Sequence, residues 1–228
     1  MKKCVVIPTY NSPHIEEVIN DVLNFGYTVI VVDDGSSEKI SINNPNSILI
    51  THDKNLGKGR AILSGARKAR ELGFDRFVTI DADKQHYASE IGKLYDAYEK
   101  ECIVIGKRNF DSKNVPKSSI FGRKFSNFWV KLETFKDLQD TQSGFRIYPI
   151  SILDLKTKYS RFDFEIEVLV RHSFRGGYIK EVDIECYYPP QSQRISHFHK
   201  VKDNIRLSKM HTRLIIERFF LLRGFLWN

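Results

Sequence analysis

Short apolar runs alternate with longer amphipathic segments along the first half of the chain. The apolar runs contain many β-branched residues, and they cover residues 4–8, 28–32, 47–50, 76–80 and 103–106. Runs of this kind are typical of parallel strands covered on both faces of a sheet. The segments between them have helical spacing, with helices expected from Pro13 to Gly26, from near Gly57 to Gly73, and over residues 89–100. We therefore predict an α/β fold with a mostly parallel central sheet and crossover helices.

The second half of the chain has a less regular pattern. A basic loop is expected over residues 107–117, helices over 118–135 and 161–174, and strands over 145–148 and 178–188. Pro189 and Pro190 would end the last strand. We find no internal repeat and no low-complexity tract. We expect one α/β domain over residues 1–190, followed by a basic loop and an amphipathic helical tail over residues 191–228.

Length and composition agree with a single domain. A chain of 228 residues with 41% hydrophobic residues can bury one full core. No apolar run is long enough to span a membrane, and the first residues do not resemble a signal peptide. We expect a cytoplasmic protein that is able to sit on the inner face of the membrane. Cys4, Cys102 and Cys186 have neither disulfide nor zinc spacing, so buried thiols are expected.

Positive charge is concentrated at the C-terminal end. The net charge is +8, and from Arg194 onwards eight Lys or Arg face two acids. Residues 212–228 interleave Arg213, Arg218 and Arg223 with large apolar side chains. A helix of this composition suits a membrane interface with anionic lipids. The alternatives are packing on its own domain or on a partner subunit, and a solvated basic face.

Polar and acidic residues follow the predicted strands. The first strand ends in P-T-Y-N-S, the second in D-D-G-S-S at 33–37, and the fourth in D-A-D-K-Q at 81–85. Ligands of open α/β sheets bind beyond the carboxyl ends of the strands, so these segments predict the site. The glycine-rich loops of dinucleotide-binding and P-loop proteins are absent from the sequence.

Two carboxylates one residue apart require a compensating charge. Asp81 and Asp83 would project to the same side of an extended backbone, where like charges are costly without a cation between them. Carboxylate oxygens suit Mg²⁺ or Mn²⁺, which complete their coordination with water and phosphate oxygens. A nucleotide diphosphate would complement such a site. An isolated pair of acids is also a common surface feature, so the pair alone decides little.

Seven motifs occur in order along the chain: C-V-V-I-P-T-Y-N, V-V-D-D-G-S, N-L-G-K-G-R-A, I-D-A-D-K-Q-H, G-K-R, Q-S-G-F-R-I-Y and F-E-I-E-V-L-V-R. Together they resemble the family 2 glycosyltransferases and, within them, the dolichyl-phosphate mannose synthases. The resemblance covers about residues 4–190. It implies a GT-A type, Rossmann-like nucleotide-diphospho-sugar transferase domain that works as an inverting, metal-dependent hexosyltransferase.

The resemblance and the strand ends together assign roles to individual residues. The resemblance implies a Mg²⁺ or Mn²⁺ site at Asp81, Asp83 and Gln85. The expected donor-binding residues are Pro8, Thr9, Tyr10, Asp33, Asp34, Lys58, Asp81, Ala82, Arg108 and Arg194. Arg194 lies in a segment, 191–200, that only partly matches the loop with which the mannose synthases close over the donor.

Several of these residues allow a second interpretation. Asp33 and Asp34 could form a plain turn instead of a ribose site. Lys58 and Arg60 could be solvated charges instead of attracting phosphate at a helix start.

A histidine and two glutamates lie close to the motifs without a clear assignment. His86 is expected to support the loop rather than to ligate the metal. Glu165 and Glu167 lie on opposite sides of the predicted helix, so we expect one to be functional and the other solvated.

The catalytic residues depend on the acceptor. A hydroxyl acceptor needs a general base, for which Asp140 is the candidate. Asp83 is the second residue predicted to be catalytic. An acceptor phosphate is already a nucleophile, and Arg123, Arg146 and Arg194 would then hold it. The alternative for Asp140 is a loop acid that caps the next strand.

The preferred hypothesis is transfer of a sugar from a GDP- or UDP-linked donor to a lipid-linked acceptor such as polyprenyl or dolichyl phosphate. The alternative is transfer to a hydroxyl of a glycolipid or polysaccharide. A sugar nucleotidyltransferase would need a glycine-rich basic loop after the first strand, and a degenerate nucleotide- or nucleic-acid-binding member would not need the intact D-A-D motif. No nucleic acid partner is expected. A homo-oligomer or a separate membrane anchor protein is compatible with the tail.

Overall fold

Seven strands form one sheet with helices on both faces in the computed structural model, which describes residues 2–109, 117–188 and 200–226. The strands are β1 (Cys4–Thr9), β2 (Thr28–Asp33), β3 (Ser47–Thr51), β4 (Arg76–Thr79), β5 (Cys102–Arg108), β6 (Arg146–Pro149) and β7 (Tyr178–Ile184). The helices are α1 (Ile15–Leu23), α2 (Lys58–Glu71), α3 (Ile91–Ala97), α4 (Lys117–Thr134), α5 (Asp163–Phe174) and α6 (Lys200–Leu226).

The order of strands in the sheet is β3-β2-β1-β4-β6-β5-β7. All neighbouring strands are parallel except β6, which runs antiparallel to β4 and β5. This confirms the predicted α/β fold with a mostly parallel central sheet. The strands β1, β2, β4 and β5 all end at one edge, and the segment that leads into β6 reaches the same edge because β6 runs the other way. Residues from distant parts of the chain therefore meet there.

Each face of the sheet has its own apolar core. Val5 belongs to the core beneath α1 and α3, whereas its neighbour Val6 belongs to the core beneath α2 and α5. This alternation is the side-chain period of two of a strand, with both sides buried. The apolar runs of the sequence thus became strands because both of their faces are covered by helices.

Two glycines let α2 approach its neighbours closely. A Cβ atom placed on Gly65 would lie 2.4 Å from Val6 Cγ1, and one on Gly59 would lie 2.4 Å from Phe164 Cβ. A side chain at either position would push α2 away from β1 or α5. The glycines therefore fix the depth at which the first turn of α2 sits beside the strand ends.

The helix α6 packs on the domain that precedes it. Leu207, Met210 and Leu214 are buried in the same apolar core as α2 and α5. The imidazole of buried His211 lies 2.8 Å from a carboxylate oxygen of buried Glu133 in α4. Of the alternatives given for the tail, this part of the helix therefore follows the one in which it packs against its own domain. Among the described residues, no helix has the length and apolarity needed to cross a bilayer.

Most predicted elements are present, with shifted ends. The last strand ends at Ile184 instead of residue 188, and the tail helix begins at Lys200 instead of residue 212. Most of the predicted basic loop, residues 110–116, lies outside the described residues. Cys4 and Cys102 are buried as predicted, whereas Cys186 is only half-buried because it follows the end of β7.

Candidate active site

The loops after β1 and β2 are hydrogen-bonded to each other at the carboxyl edge of the sheet. Asn11 N–H donates to Ser36 Oγ at 2.9 Å, and its side-chain oxygen accepts from Ser37 N–H at 2.9 Å. Thr9 and Asp33, which pair across the two strands, are buried. Tyr10 is the exposed member of the predicted nucleoside pocket, and Pro8 lies buried within β1. The two loops form one continuous wall of the site.

Asp34 shapes the turn that leads into α2. Its carboxylate accepts from Leu56 N–H at 2.9 Å and from Gly57 N–H at 2.7 Å, and it lies 2.7 Å from His52 Nδ1. Gly57 precedes the helix with φ of +100°, a conformation that favours glycine. The Asp34 carboxylate thus binds groups of the protein itself, and in this arrangement it positions the start of α2.

Lys58, the first residue of α2, joins two acids. Its ammonium nitrogen lies 2.6 Å from Asp81 Oδ1 and 3.1 Å from Glu165 Oε1. Burial would lower the pKa of Lys58, but attraction to the two carboxylates outweighs it and raises that pKa. Burial likewise opposes ionisation of Asp81, and Lys58 outweighs it, so the pKa of Asp81 is lowered. Lys58 is therefore not solvated, whereas Arg60 on the same helix is exposed.

The D-A-D segment is a turn rather than an extended strand. β4 ends at Thr79, and Lys84 has φ of +60°. The expectation that an extended backbone projects Asp81 and Asp83 to one side is therefore wrong. Asp83 is exposed and accepts from Gln85 N–H at 3.0 Å, while Ala82 is buried beneath it. Loss of hydration around the Asp83 carboxylate, followed by repulsion from the charge of Asp81, raises the pKa of Asp83 to about 6.

The oxygen donors of this turn fit a hard divalent cation. Among the residues that the structure describes, no group of three or more His, Cys, Asp or Glu side chains could hold a metal ion by themselves. Asp81, Asp83 and the Gln85 carboxamide would instead supply a partial set of oxygen ligands, as Mg²⁺ and Mn²⁺ sites completed by water and phosphate do. The ammonium group beside Asp81 shows that this carboxylate accepts a cation.

Arg108 and Asp140 form a bidentate pair at the ends of β5 and of the segment before β6. Arg108 Nε donates to Asp140 Oδ2 at 2.8 Å, and a terminal nitrogen donates to Oδ1 at 2.9 Å. Burial opposes the charge of Arg108, but Asp140 outweighs it and the pKa of Arg108 is raised. Asp140 is fully buried, and its N–H donates to Glu181. Both oxygens of the predicted base are thus engaged.

The three arginines predicted to hold an acceptor phosphate lie in different environments. Arg146 is fully buried and donates to the backbone carbonyls of Ser143, Thr141 and Glu165. This burial favours a role in holding the turn before β6 over the predicted contact with an acceptor. Arg123 is half-buried on α4. Arg194 lies outside the described residues.

His86 lies between the two charged pairs. Its ring stacks on Phe145 with centroids 5.0 Å apart, and neither ring nitrogen has a hydrogen-bond partner among the described residues. Burial lowers the pKa of His86 to about 4, although the Asp81 carboxylate acts in the opposite direction. The imidazole is therefore neutral at pH 7 and packs against Phe145.

The two glutamates of α5 do face opposite sides, but neither is solvated. Glu165 reaches Lys58, whereas Glu167 is fully buried, pairs with Arg171 at 2.7 Å and accepts from Lys158 N–H and Tyr159 N–H. The prediction of a solvated partner is wrong because α6 and the segment before α5 cover that side. Glu165 is the site residue that sequence reasoning did not assign. Its signal was the first acid of the F-E-I-E motif.

Comparison with known proteins gives one family and a set of related enzymes. The family described as glycosyl transferase family 2 matches residues 4–155. UDP-N-acetylglucosamine–dolichyl-phosphate N-acetylglucosaminyltransferase of Methanococcus voltae is 30% identical, with 82% of this chain and 86% of that protein covered. Dolichol-phosphate mannosyltransferase of Pyrococcus furiosus is 28% identical, with 81% of this chain and 55% of that protein covered.

The fold is also found among solved structures. Glucosyl-3-phosphoglycerate synthase from Mycobacterium tuberculosis, in complex with Mn²⁺, UDP and glucosyl-3-phosphoglycerate, superposes with a TM-score of 0.67 at 16% identity. The match covers 95% of this chain and 79% of that one. At this identity the likeness concerns the fold alone.

Proposed function

This chain belongs to glycosyl transferase family 2, and on that premise we propose that it transfers one sugar from a GDP- or UDP-linked donor to polyprenyl phosphate. The similar enzymes from Methanococcus voltae and Pyrococcus furiosus carry dolichyl phosphate in their names, which supports a lipid phosphate acceptor. The nucleoside lies against the loops after β1 and β2, and the diphosphate lies near Lys58, Asp81 and Arg108.

The pairing of Arg108 with Asp140 is the observation that carries the choice of acceptor. A general base must lie within hydrogen-bond reach of the proton that it takes from the attacking hydroxyl. Both oxygens of Asp140 accept from the Arg108 fork instead. A lipid phosphate needs no base because it is already an anion. The buried, doubly bonded Asp140 therefore favours phosphate over hydroxyl as the acceptor.

The proposed reaction is a displacement at the anomeric carbon with inversion. An oxygen of the acceptor phosphate forms a bond to this carbon while the bond to the nucleoside diphosphate breaks, and the diphosphate leaves with the electron pair. Asp81, Asp83 and Gln85 would hold a Mg²⁺ or Mn²⁺ ion, whose charge would stabilise the departing diphosphate. Lys58 and Arg108 add fixed positive charge at the same edge of the sheet.

An apolar surface on α4 supports access to a lipid acceptor. Phe121, Phe125, Phe128 and Leu132 recur at helical spacing and are exposed, and Lys124 and Lys131 lie among them. Exposed aromatic side chains beside lysines suit a bilayer with anionic head groups. We propose that this α4 face, together with exposed Phe219 and Phe220 of α6, rests on the membrane surface.

Donor and acceptor can be tested in one assay. The full chain would be incubated with a panel of nucleotide-diphosphate sugars and polyprenyl phosphate in vesicles, with Mn²⁺ or with a chelator. We expect metal-dependent release of nucleotide together with a glycolipid product. Release without a glycolipid would move the acceptor to a hydroxyl, and no release with any donor would contradict the transferase proposal.

Asp140→Asn separates the two kinds of acceptor. For a phosphate acceptor we expect activity to fall by about tenfold, because the Arg108 fork loses one charged partner. For a hydroxyl acceptor the loss of the base would lower turnover by about 10²–10⁴-fold. Initial rates at saturating donor measure the difference, and Asp137→Asn in the same segment is the control.

Vesicle binding tests the α4 face. We expect Phe121→Ser/Phe128→Ser to weaken co-sedimentation with anionic vesicles by about tenfold or more, because two aromatic side chains leave the bilayer. Phe25→Ser/Leu72→Ser removes exposed apolar side chains elsewhere and should bind as the unaltered chain does. Equal binding by both variants would contradict membrane contact through α4.

A further inference from the structure

The main unexplained feature of the site is that Lys58 already forms an ion pair with Asp81, one of the proposed metal ligands. The Lys58 ammonium lies 2.6 Å from Asp81 Oδ1, closer than its 3.1 Å approach to Glu165 Oε1. Glu165 is almost completely buried, whereas the Asp81 side chain is a quarter exposed. Lys58 therefore has one partner on the protein side and one partner that faces the site.

Gly144 gives these three groups the space to meet. A Cβ atom on Gly144 would lie 2.6 Å from Lys58 Nζ, 2.8 Å from Asp81 Oδ2 and 3.0 Å from Glu165 Oε1. Any side chain there would separate the lysine from at least one acid. The backbone before β6 thus passes close to the place where Lys58 contacts its two acidic partners.

We propose that Lys58 is a placeholder for the divalent cation and that Glu165 keeps it in place when the metal arrives. The inference rests on the proposed function. In the free protein Lys58 neutralises Asp81, and a metal ion must displace it. Glu165 then retains the ammonium within reach of the incoming diphosphate. Glu165 is a positioning residue that acts through Lys58.

The expected consequence is coupling between metal and nucleotide. A metal ion that binds alone displaces Lys58 and is repelled by it, so its affinity is low. A nucleoside diphosphate offers Lys58 a new anionic partner, and the displacement is then compensated. Coupling between two ligands is reciprocal, so each should raise the affinity for the other by the same factor.

Opposite effects of two substitutions test the idea without measuring activity. Mn²⁺ would be titrated calorimetrically into the full chain without nucleotide. Lys58→Met should tighten Mn²⁺ binding by about fivefold or more, because the competing cation is gone. Glu165→Gln should weaken it, because Lys58 then has Asp81 as its only acidic partner. Arg60→Met, on the exposed side of the same helix, should change the affinity less than about twofold.

The double variant Lys58→Met/Glu165→Gln separates action through Lys58 from a general loss of negative charge. If Glu165 acts through the lysine, Glu165→Gln should have little effect in the Lys58→Met background. The double variant also removes the uncompensated buried acid, so it keeps the test open if Lys58→Met alone unfolds. Glu167→Gln is the matched control, since Glu167 lies on the same helix but pairs with Arg171.

Nucleotide binding keeps this inference distinct from the proposed function. Adding UDP or GDP should raise the Mn²⁺ affinity of the unaltered chain much more than that of Lys58→Met. If the unaltered chain binds neither nucleotide with Mn²⁺, the proposed function fails. If it binds one of them but Lys58→Met leaves Mn²⁺ binding unchanged, the placeholder role is overturned. An undiminished effect of Glu165→Gln in the Lys58→Met background would overturn the role of Glu165.

Discussion

The carboxylate of Asp34 organises a turn of the chain that lies well beyond it in sequence. Two backbone N–H groups and one imidazole nitrogen surround it, and the His52 ring reaches on to Ser64 Oγ at 2.9 Å. Buried N–H groups are costly without an acceptor, so the acid holds the turn before α2 in one conformation. The same turn places Lys58 beside Asp81. A residue predicted to touch the nucleoside thus also sets the position of Lys58 beside Asp81.

Asp34→Asn should lower the free energy of unfolding by about 1.5–3 kcal/mol, because an amide replaces a charged acceptor of two backbone N–H groups. Urea denaturation measures the change. Asp53→Asn alters an exposed acid of the same segment and should change stability by less than about 0.5 kcal/mol. Equal stability of the two variants would mean that Asp34 does not hold the turn.

At the scale of elements, the spacing of helices from the sheet depends on what their glycines face. A Cβ on Gly65 of α2 would lie 2.4 Å from Val6 of β1, whereas a Cβ on Gly92 of α3 would meet no atom within 4 Å. Helix propensity alone would favour alanine at both positions by about 1 kcal/mol. Packing decides which of the two glycines is required.

Gly65→Ala should destabilise the protein by about 1–2 kcal/mol, since overpacking against β1 exceeds the gain in helix propensity. Gly92→Ala should stabilise it by up to about 1 kcal/mol. Thermal unfolding of the two variants, compared with the unaltered chain, measures both effects. Stabilisation by both substitutions would show that α2 has room to move away from the sheet.

The helix α6 is a second element whose role is decided by packing. Met210→Ala should lower the free energy of unfolding by about 2–5 kcal/mol, because Met210 is fully buried between α6 and the core. Lys209→Ala, at the exposed neighbouring position, should have little effect. Chemical denaturation distinguishes the two. A small effect of Met210→Ala would mean that α6 docks only loosely.

At the scale of the whole molecule, the sequence predicts individual strands and the residues at their ends, but it does not predict which strands or side chains from distant parts of the chain pair with each other. The strands β2 and β4, and the acids that follow them, could be located because apolar runs and strand ends are local patterns. The place of β6 between β4 and β5 could not, because no local pattern records which strand lies next to which. For the same reason the Lys58–Glu165 and Arg108–Asp140 pairs appear only in the structure.

The position of β6 also determines the order in which a newly made chain can assemble. β3, β2, β1 and β4 are complete once the ribosome has released the first third of the protein, and β5 follows soon afterwards. The strand that joins β4 to β5 arrives only after α4 has been synthesised. Until then the growing chain carries an open, apolar strand edge at β4, which is a template for wrong pairing. The nascent protein therefore exposes an edge that can pair wrongly until residues 146–149 have been made.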